Sequence, residues 1–266
     1  MQYTERLPPP PLDQIVHCFW FLRGNARDAR AEPVVCDGRI DIILHFADPF
    51  ARVHGDGSVS PQADALVAGQ LTAPLHIVPL GEIDVVGIRL RTAAASALLR
   101  APLAELTDDV APLSAVDARL TVRLREALSY AQTADARAAA LAPALASVVR
   151  GVDPVARAAV CAAGRRAPSV REFSREARMS VRSVERRVLA ATGLAPVALR
   201  KALRFRRAFR MLEQTPCGTW SRVAQDAGYF DQAHMIREFR AFAGDAPSRF
   251  FQRDPALARA FLGANA

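Results

Sequence analysis

Two short runs of the sequence carry side chains that proteins use to read the edges of DNA bases. In the major groove, arginine pairs with guanine, glutamine pairs with adenine, and glutamate accepts a hydrogen bond from cytosine. Each run follows a residue, Ser180 or Asp231, that can cap a helix. The pattern therefore predicts base recognition by the first turns of two helices. The candidate DNA-binding residues are Arg182, Ser183, Glu185 and Arg186 in the first run, and Gln232, Ala233, His234 and Arg237 in the second.

The first run belongs to a predicted pair of helices, Val170–Ala177 and Val181–Ala191. Ser169 and Glu172 have the spacing of a capping box, and Ser180 precedes the second helix. That helix has valines on one face and the polar run on the other, as expected of a helix that packs on a core. Two helices joined by a tight turn, the second with a polar N-terminal face, are typical of a helix-turn-helix motif.

The same pattern occurs again further along the chain. Thr219 is predicted to cap a helix over Trp220–Ala227. Asp231 and Gly244 mark the two ends of a second helix, Gln232–Phe242. One such pair is also compatible with ordinary solvated helix faces, but two pairs in one basic region favour DNA reading. The predicted buried stripe of the last helix is Met235, Phe239 and Phe242.

The charge is distributed unevenly along the 266 residues. Residues 165–253 hold 19 Arg or Lys against 8 Asp or Glu, a net charge of +11, whereas the whole chain carries +8 and the remainder −3. This asymmetry indicates a polyanionic partner for the C-terminal part. The longest apolar stretch, Ala138–Val149, is too short to span a membrane, and the N-terminus lacks an apolar signal segment. We therefore expect a cytoplasmic, nucleoid-associated protein with no membrane partner.

Cysteine spacing gives no sign of a metal site. None of the four cysteines forms a CxxC pair, and in a cytosolic chain they are expected to be reduced and packed in the interior. HxH, GxSxG, P-loop, GxGxxG and HExxH motifs are all absent from the sequence, so we expect no catalysis, no metal and no cofactor. A redox or alkylation sensor acting through Cys18 or Cys36 remains an alternative. The cysteines are Cys18, Cys36, Cys161 and Cys217.

The first 90 residues predict short β-strands separated by turn residues, which favours a small barrel or sandwich. Helical patterns follow at Ala93–Leu99, Val116–Tyr130 and Ala134–Val149. These middle helices would either pack against the barrel or form a homodimer interface. The predicted fold is thus α+β and multidomain. The expected domains are a β-rich sensor (1–115), a helical connector (116–152), an all-α DNA-binding domain (153–253) and a C-terminal tail (254–266).

The segment Arg165–Phe251 resembles the DNA-binding domain of the AraC/XylS family of bacterial transcription regulators. The resemblance implies two recognition helices in successive major grooves, held apart by a central helix over Val197–Leu212, and RNA polymerase as a partner. It also implies that Trp220 is a core residue. The matching residues are Ser180–Val188, Thr192–Pro196, Arg204–Ala208, Ala227–Phe239 and Pro247. The chain departs from the family pattern at Arg178, where glycine is frequent, and at Val188, Phe230 and Asp245.

The N-terminal half resembles the cupin-like sensor domains that are attached to some regulators of this family. The resemblance rests on Trp20, on the run Cys36–Asp41, and on Val86–Leu90 before a helix. It implies a small-molecule effector inside the barrel, although packed aromatic residues and surface histidines would give the same pattern. A purely architectural DNA-binding protein is a further alternative. The candidate effector-binding residues are Trp20, His45, Phe46, His76 and Arg89.

Overall fold

The N-terminal part is built from ten short strands. The structure is a computed structural model that describes residues 1–25, 30–164, 169–214 and 220–262. The strands are β1 (Gln2–Arg6), β2 (Val16–Asn25), β3 (Glu32–Val34), β4 (Asp41–His45), β5 (Phe50–Val53), β6 (Val59–Pro61), β7 (Ala65–Ala68), β8 (Leu75–Pro79), β9 (Glu82–Leu90) and β10 (Val110–Pro112).

These strands form two antiparallel sheets that share a core. The larger sheet has the order β1-β2-β9-β4-β7-β10, and the smaller has the order β3-β8-β5-β6. Because side chains alternate along a strand, Trp20 of β2 faces the core between the sheets whereas Phe19 and Phe21 face the opposite side. Trp20 lies opposite Gly87, where any Cβ atom would fall 1.8 Å from the indole ring. The predicted β-rich fold of the N-terminal part is confirmed.

Three helices follow or interrupt the last strands. They are α1 (Ala95–Leu98), α2 (Leu113–Leu128) and α3 (Ala134–Ala146). Helix α2 begins three residues earlier than Val116, and its backbone is non-helical at Asp117. Its leucine stripe is buried together with residues of the large sheet, so these helices cover the outer face of that sheet. The buried leucines of these two helices include Leu120, Leu124 and Leu128 of α2 and Leu141 and Leu145 of α3.

The C-terminal part is entirely helical in its described residues. Its helices are α4 (Pro154–Gly164), α5 (Val170–Glu176), α6 (Val181–Thr192), α7 (Pro196–Glu213), α8 (Trp220–Ala227), α9 (Gln232–Ala243), α10 (Pro247–Gln252) and α11 (Ala256–Leu262). Most boundaries fall within one residue of the predicted ones because caps such as Ser180 and Gly193 are local signals. The expected tail is different: it contains α11, whose Leu257 and Leu262 are buried. None of the described helices is long and apolar enough to cross a membrane.

The two parts are packed against each other through a continuous core. One buried cluster contains Leu75 and Ile77 of the small sheet as well as Phe205 and Phe209 of α7. Polar contacts join them too, since Arg206 of α7 donates a hydrogen bond to the backbone oxygen of Asp37 at 3.1 Å. The central helix α7 is therefore packed directly against the N-terminal part.

Candidate DNA-binding interface and ligand cavity

The first helix-turn-helix consists of α5 and α6. Ser169 and Glu172 form the predicted capping box at the start of α5. Ser180 caps α6, its hydroxyl oxygen accepting a hydrogen bond from the backbone N–H of Ser183 at 3.2 Å. The remaining polar residues of the first run, Arg182, Glu185 and Arg186, are exposed, whereas Ser183 is half-buried. Three side chains at the N-terminal end of α6 are thus free to enter a groove.

The second helix-turn-helix, α8 and α9, has a longer turn. In both units the first helix is followed by a residue with positive φ, Arg178 or Gly228. The next residue then donates its backbone N–H to the end of that helix: Met179 to Ser174 O at 2.9 Å, and Tyr229 to Ala224 O at 2.8 Å. The second turn then has one additional residue before the cap. That residue, Phe230, is 89% exposed. The predicted cap of α8, Thr219, lies outside the described residues.

The four candidate residues of α9 divide into two groups. Ala233 and Arg237 are exposed. Gln232 is held by Ser221 of α8, whose hydroxyl donates to the Gln232 Oε1 at 2.8 Å. The His234 ring packs edge-on against Tyr229 with 5.3 Å between ring centroids. Arg237 therefore projects most freely from this helix, while Gln232 is oriented in advance by α8.

A buried ion pair fixes α9 on the central helix α7. Arg204 donates to both carboxylate oxygens of Glu238, with an Nε to Oε1 distance of 3.0 Å. The Arg204 guanidinium also lies over the Tyr229 ring, 4.5 Å from its centroid. The sequence alone gives no sign of this pair, because two oppositely charged residues 34 positions apart become partners only through the packing of α7 on α9.

Arg206 and Arg207 of α7 are directed into the protein and not toward a DNA backbone. Arg206 faces the N-terminal part, and burial, together with the neighbouring Arg39, lowers its pKa to about 9. Arg207 donates to the backbone oxygen of Ala227 at 3.1 Å. An exposed arginine on the first helix of a unit, such as Arg222 with 88% exposure of its side chain, is a better candidate for phosphate contact.

A cavity of about 70 Å³ lies between the two sheets of the N-terminal part. Its wall is mostly apolar, and Trp20, His45 and Arg89 line it as predicted. Arg89 is completely buried; although burial lowers its pKa, the carboxylates of Asp41 and Asp37 raise it above the ordinary value. The Asp41 Oδ1 accepts hydrogen bonds from Arg89 Nε and from Trp20 Nε1, both at 3.1 Å.

His45 and Arg39 both line this cavity and both have buried polar atoms without a hydrogen-bond partner. His45 is 8% exposed, and neither of its ring nitrogens has a partner at hydrogen-bonding geometry, although Gln62 also lines the cavity. Burial lowers the pKa of His45, so its ring is neutral near pH 7. The Nη1 of the buried Arg39 is also without a partner. Buried polar groups of this kind are normally satisfied, which makes them candidate ligand contacts.

Two predicted effector-binding residues do not reach the cavity. His76 of β8 is exposed, because its neighbours Leu75 and Ile77 point inward and successive side chains alternate. Phe46 follows His45 and for the same reason points outward, where the Arg137 guanidinium lies 4.4 Å from its ring centroid. Both residues were predicted to bind an effector from their residue type alone. Without the strand register, the face of the sheet on which they lie could not be predicted.

The cysteines give the redox alternative little physical support. Cys18 and Cys36 are buried free thiols. Burial raises the pKa of Cys18 to about 12 and raises that of Cys36 as well, which suppresses the reactive thiolate. Cys161 is exposed, contrary to the expectation of interior packing, and Cys217 lies outside the described residues. The described part of the chain has no group of three or more His, Cys, Asp or Glu residues that could hold a metal ion.

Family comparisons match both parts of the chain. Residues 173–253 match a family described as a helix-turn-helix domain, and residues 4–112 match a domain of unknown function, DUF6597. Together with the two units on α7, the match defines a DNA-binding protein of the helix-turn-helix class. More particularly, the matched residues lie within the segment whose sequence resembles the DNA-binding domain of AraC/XylS-type transcriptional regulators.

Solved structures show more distant similarities. ToxT from Vibrio cholerae is 9% identical, with 94% of this chain and 98% of that chain covered and a TM-score of 0.47. ToxT bound to an unsaturated fatty acid is 12% identical, with 92% and 96% covered and a TM-score of 0.45. A probable AraC family transcriptional regulator from Rhodopseudomonas palustris is 22% identical, with 37% and 92% covered and a TM-score of 0.31. No curated protein matches the sequence.

Proposed function

We propose that this regulator reads one specific DNA site with α6 and α9 together and responds to a small molecule bound between its two sheets. The observation that carries the DNA part is the pairing of two capped helices, each with exposed polar residues in its first turns, on one central helix. The net charge of +11 over residues 165–253 supports a polyanionic partner.

In this proposal the base-reading residues come from both units. In the first unit Arg182 and Arg186 suit guanine and Glu185 suits cytosine. Ser183 lies in the first turn of the same helix. In the second unit Arg237 suits guanine and Gln232 suits adenine, while Ala233 and His234 complete the surface. Helix α7 has 18 residues and so spans about 27 Å. That length suits two recognition helices placed about one DNA turn apart.

The sensing part of the proposal rests on the cavity. Its apolar wall, two buried arginines and one buried histidine combine hydrophobic surface with a few polar groups, as small-molecule sites do. We assign sensing to residues 1–115, connection to 116–152, DNA reading to 153–253 and a further element to 254–262. RNA polymerase as a partner follows from the family resemblance, and a homodimer is a further proposal that sedimentation of the full chain would test.

Replacing Arg237 by alanine tests base reading. On a DNA site selected from random sequences, we expect Arg237→Ala to lose roughly 1–3 kcal/mol, about 5- to 140-fold in Kd, and to relax preference at one or two base pairs. Binding to random DNA should fall much less. Gln232→Ala should behave similarly, because Gln232 lies on the same helix about one α-helical turn before Arg237.

Arg222→Ala is the matched control because Arg222 is exposed on the helix that precedes α9. It should weaken selected and random DNA by the same factor, as a phosphate contact does. Melting curves of each variant exclude loss of fold. If Arg237→Ala keeps the wild-type ratio of the two affinities, α9 does not read bases in the proposed way.

A further inference from the structure

Helix α11 carries the end of the DNA-binding part back to the sensor cavity. Its first turn is anchored on the small sheet, where the Leu257 N–H donates to the Glu32 Oε2 of β3 at 2.9 Å. Leu257 and Phe261 both line the cavity between the sheets. The opposite side of α11 belongs to the other part of the molecule, since Arg259 pairs with Asp254 at 3.0 Å and approaches Glu213 at the end of α7.

Phe261 occupies the cavity as a ligand would. Its ring lies 4.7 Å from the guanidinium carbon of Arg89, 5.1 Å from the centroid of Trp20 and 5.8 Å from that of Tyr3. Its backbone oxygen accepts a hydrogen bond from Arg89 Nη1 at 3.2 Å. One residue therefore supplies an aromatic ring to a cage of Arg89, Trp20 and Tyr3 and a carbonyl oxygen to the same arginine.

The remaining space is too small for an effector while Phe261 is present. The cavity of about 70 Å³ has room for a handful of water molecules, at ~10–15 Å³ each. Sites for drug-sized ligands are several times larger, at ~300–1,000 Å³. Withdrawing the Phe261 ring is the change that would enlarge the cavity and at the same time expose Arg89.

The charges around the cavity indicate which acceptor would replace the carbonyl. The charged side chains that line the cavity, Arg39, Arg89, Asp37 and Asp41, sum to zero, and Arg89 already has Asp41 as its ion-pair partner. A carboxylate ligand on Arg89 would lie beside the Asp41 carboxylate and repel it, whereas a neutral carbonyl, such as the one that Phe261 supplies, would not. The neutral His45 ring and the free Nη1 of Arg39 offer further hydrogen bonds.

We infer that Phe261 is an internal ligand of the cavity and that the effector is a neutral aromatic carbonyl compound that takes its place. The inference rests on the proposed role of the cavity as the effector site. The effector ring replaces the Phe261 ring in the cage, and its carbonyl oxygen replaces that of Phe261 on Arg89. Binding releases α11 from the sheets and so removes a tie between the sensor and the DNA-reading helices.

The full-length chain with Phe261→Ala tests the exchange, with N-acetylphenylalanine amide as the probe because it carries the same ring and carbonyl group. The probe should bind this variant at least about tenfold more tightly than the wild type by titration calorimetry, because the tethered ring no longer competes. N-acetylalanine amide, which has no ring, should not bind, and N-acetylphenylalanine, which carries a carboxylate, should bind more weakly than the amide.

Arg259→Ala is the matched control on the same helix, since Arg259 faces away from the cavity; it should bind the probe as the wild type does. Phe261→Leu, which keeps apolar volume without the ring, gives the same test if the alanine variant melts early. Equal probe binding by wild type, Phe261→Ala and Phe261→Leu overturns the inference, as does tighter binding of the carboxylate than of the amide.

These results are separable from failure of the proposed function. A different compound that raises the melting temperature of the wild type, while the probe fails to bind Phe261→Ala, leaves effector sensing intact and overturns the internal-ligand inference. Loss of DNA specificity is judged independently by the Arg237→Ala experiment.

Discussion

The two helix-turn-helix units share a backbone design but are held in place by different means. The second unit packs on an aromatic cluster, in which Phe239 lies 5.1 Å from Phe205 and 5.5 Å from Phe250 between ring centroids. The first unit has small aliphatic side chains on α6, Val184 and Val188, in the equivalent role. The complete aromatic cluster is Phe205, Phe209, Phe239, Phe242, Phe250 and Phe251.

The first unit has direct polar and backbone contacts with the N-terminal part. Helix α1 and the short turn Leu103–Leu106 contact α6 directly. Thr107 donates a hydrogen bond to the backbone oxygen of Gly193, the residue that ends α6, at 2.9 Å. Helix α6 is thus held directly by the N-terminal part, while α9 is held on α7 by Arg204, Glu238 and the phenylalanines.

Among the variants that test this difference between the two units, Phe239→Ala should lower the free energy of unfolding most. Removing a fully buried ring from the aromatic cluster is expected to cost about 3–5 kcal/mol of unfolding free energy. Val188→Ala in the first unit removes far less buried surface and should cost about 1–2 kcal/mol. Denaturant unfolding of the full chain measures both. Similar costs would mean that the first unit has a core as self-sufficient as the second.

A pair of glycine substitutions isolates the contact between the end of α6 and the N-terminal part. Gly193 and Gly244 both end a recognition helix with φ +82°, where alanine costs roughly 1–2 kcal/mol. A Cβ on Gly193 would also lie 2.7 Å from Leu103 O, whereas one on Gly244 would be in ordinary contact, 3.4 Å from Pro74 Cγ. Gly193→Ala should therefore lower the melting temperature more than Gly244→Ala. Equal losses would show that the first unit does not depend on this contact.

Arg178→Gly should make the turn of the first helix-turn-helix unit more like the turn of the second unit. Arg178 has φ +51°, while the corresponding Gly228 has φ +94°. Because a left-handed backbone is strained for arginine, glycine there should add about 1 kcal/mol of stability, and Gly228→Ala should remove a similar amount. Thermal melts of the two variants check both signs. Destabilisation by Arg178→Gly would mean that the arginine side chain contributes more than its backbone strain costs.

Phe230→Ala should have the smallest effect on folding. Its side chain is almost fully exposed in the additional turn residue of the second unit, so the unfolding free energy should change by less than about 0.5 kcal/mol. A contact with a thymine methyl group would instead appear as a weaker affinity for the selected DNA site. Measuring both properties separates them, and a large loss of stability would contradict the observed exposure.

Local signals in the sequence were sufficient for the helical part. Ser169, Ser180 and Asp231 cap helices as predicted, and Gly193 and Gly244 end them, because each of these effects depends on the backbone within one turn. The buried stripe of α9 was likewise predicted from its periodicity, and Met235, Phe239 and Phe242 are buried.

What the sequence did not predict depends on distant partners. Strand β1 has a mixed polar pattern and exists because it pairs with β2. Helix α11 is short and is held by Glu32 and by the cavity. The cavity itself required the strand register, which is why Trp20 and Arg89 were identified together with two residues, Phe46 and His76, that face outward.

In the proposed mode of DNA reading, the two unlike helices α6 and α9 on α7 would give the bound protein a polarity. A symmetric dimer reads a palindrome and looks the same from either direction along the duplex. One chain that presents Arg182, Glu185 and Arg186 at one end and Gln232 and Arg237 at the other would read a site with a defined orientation. The sensor, fixed to the first unit through Thr107 and Gly193, would then always lie toward the same end of that site. Inverting the site next to a promoter would turn the sensor from one side to the other without altering a single base contact.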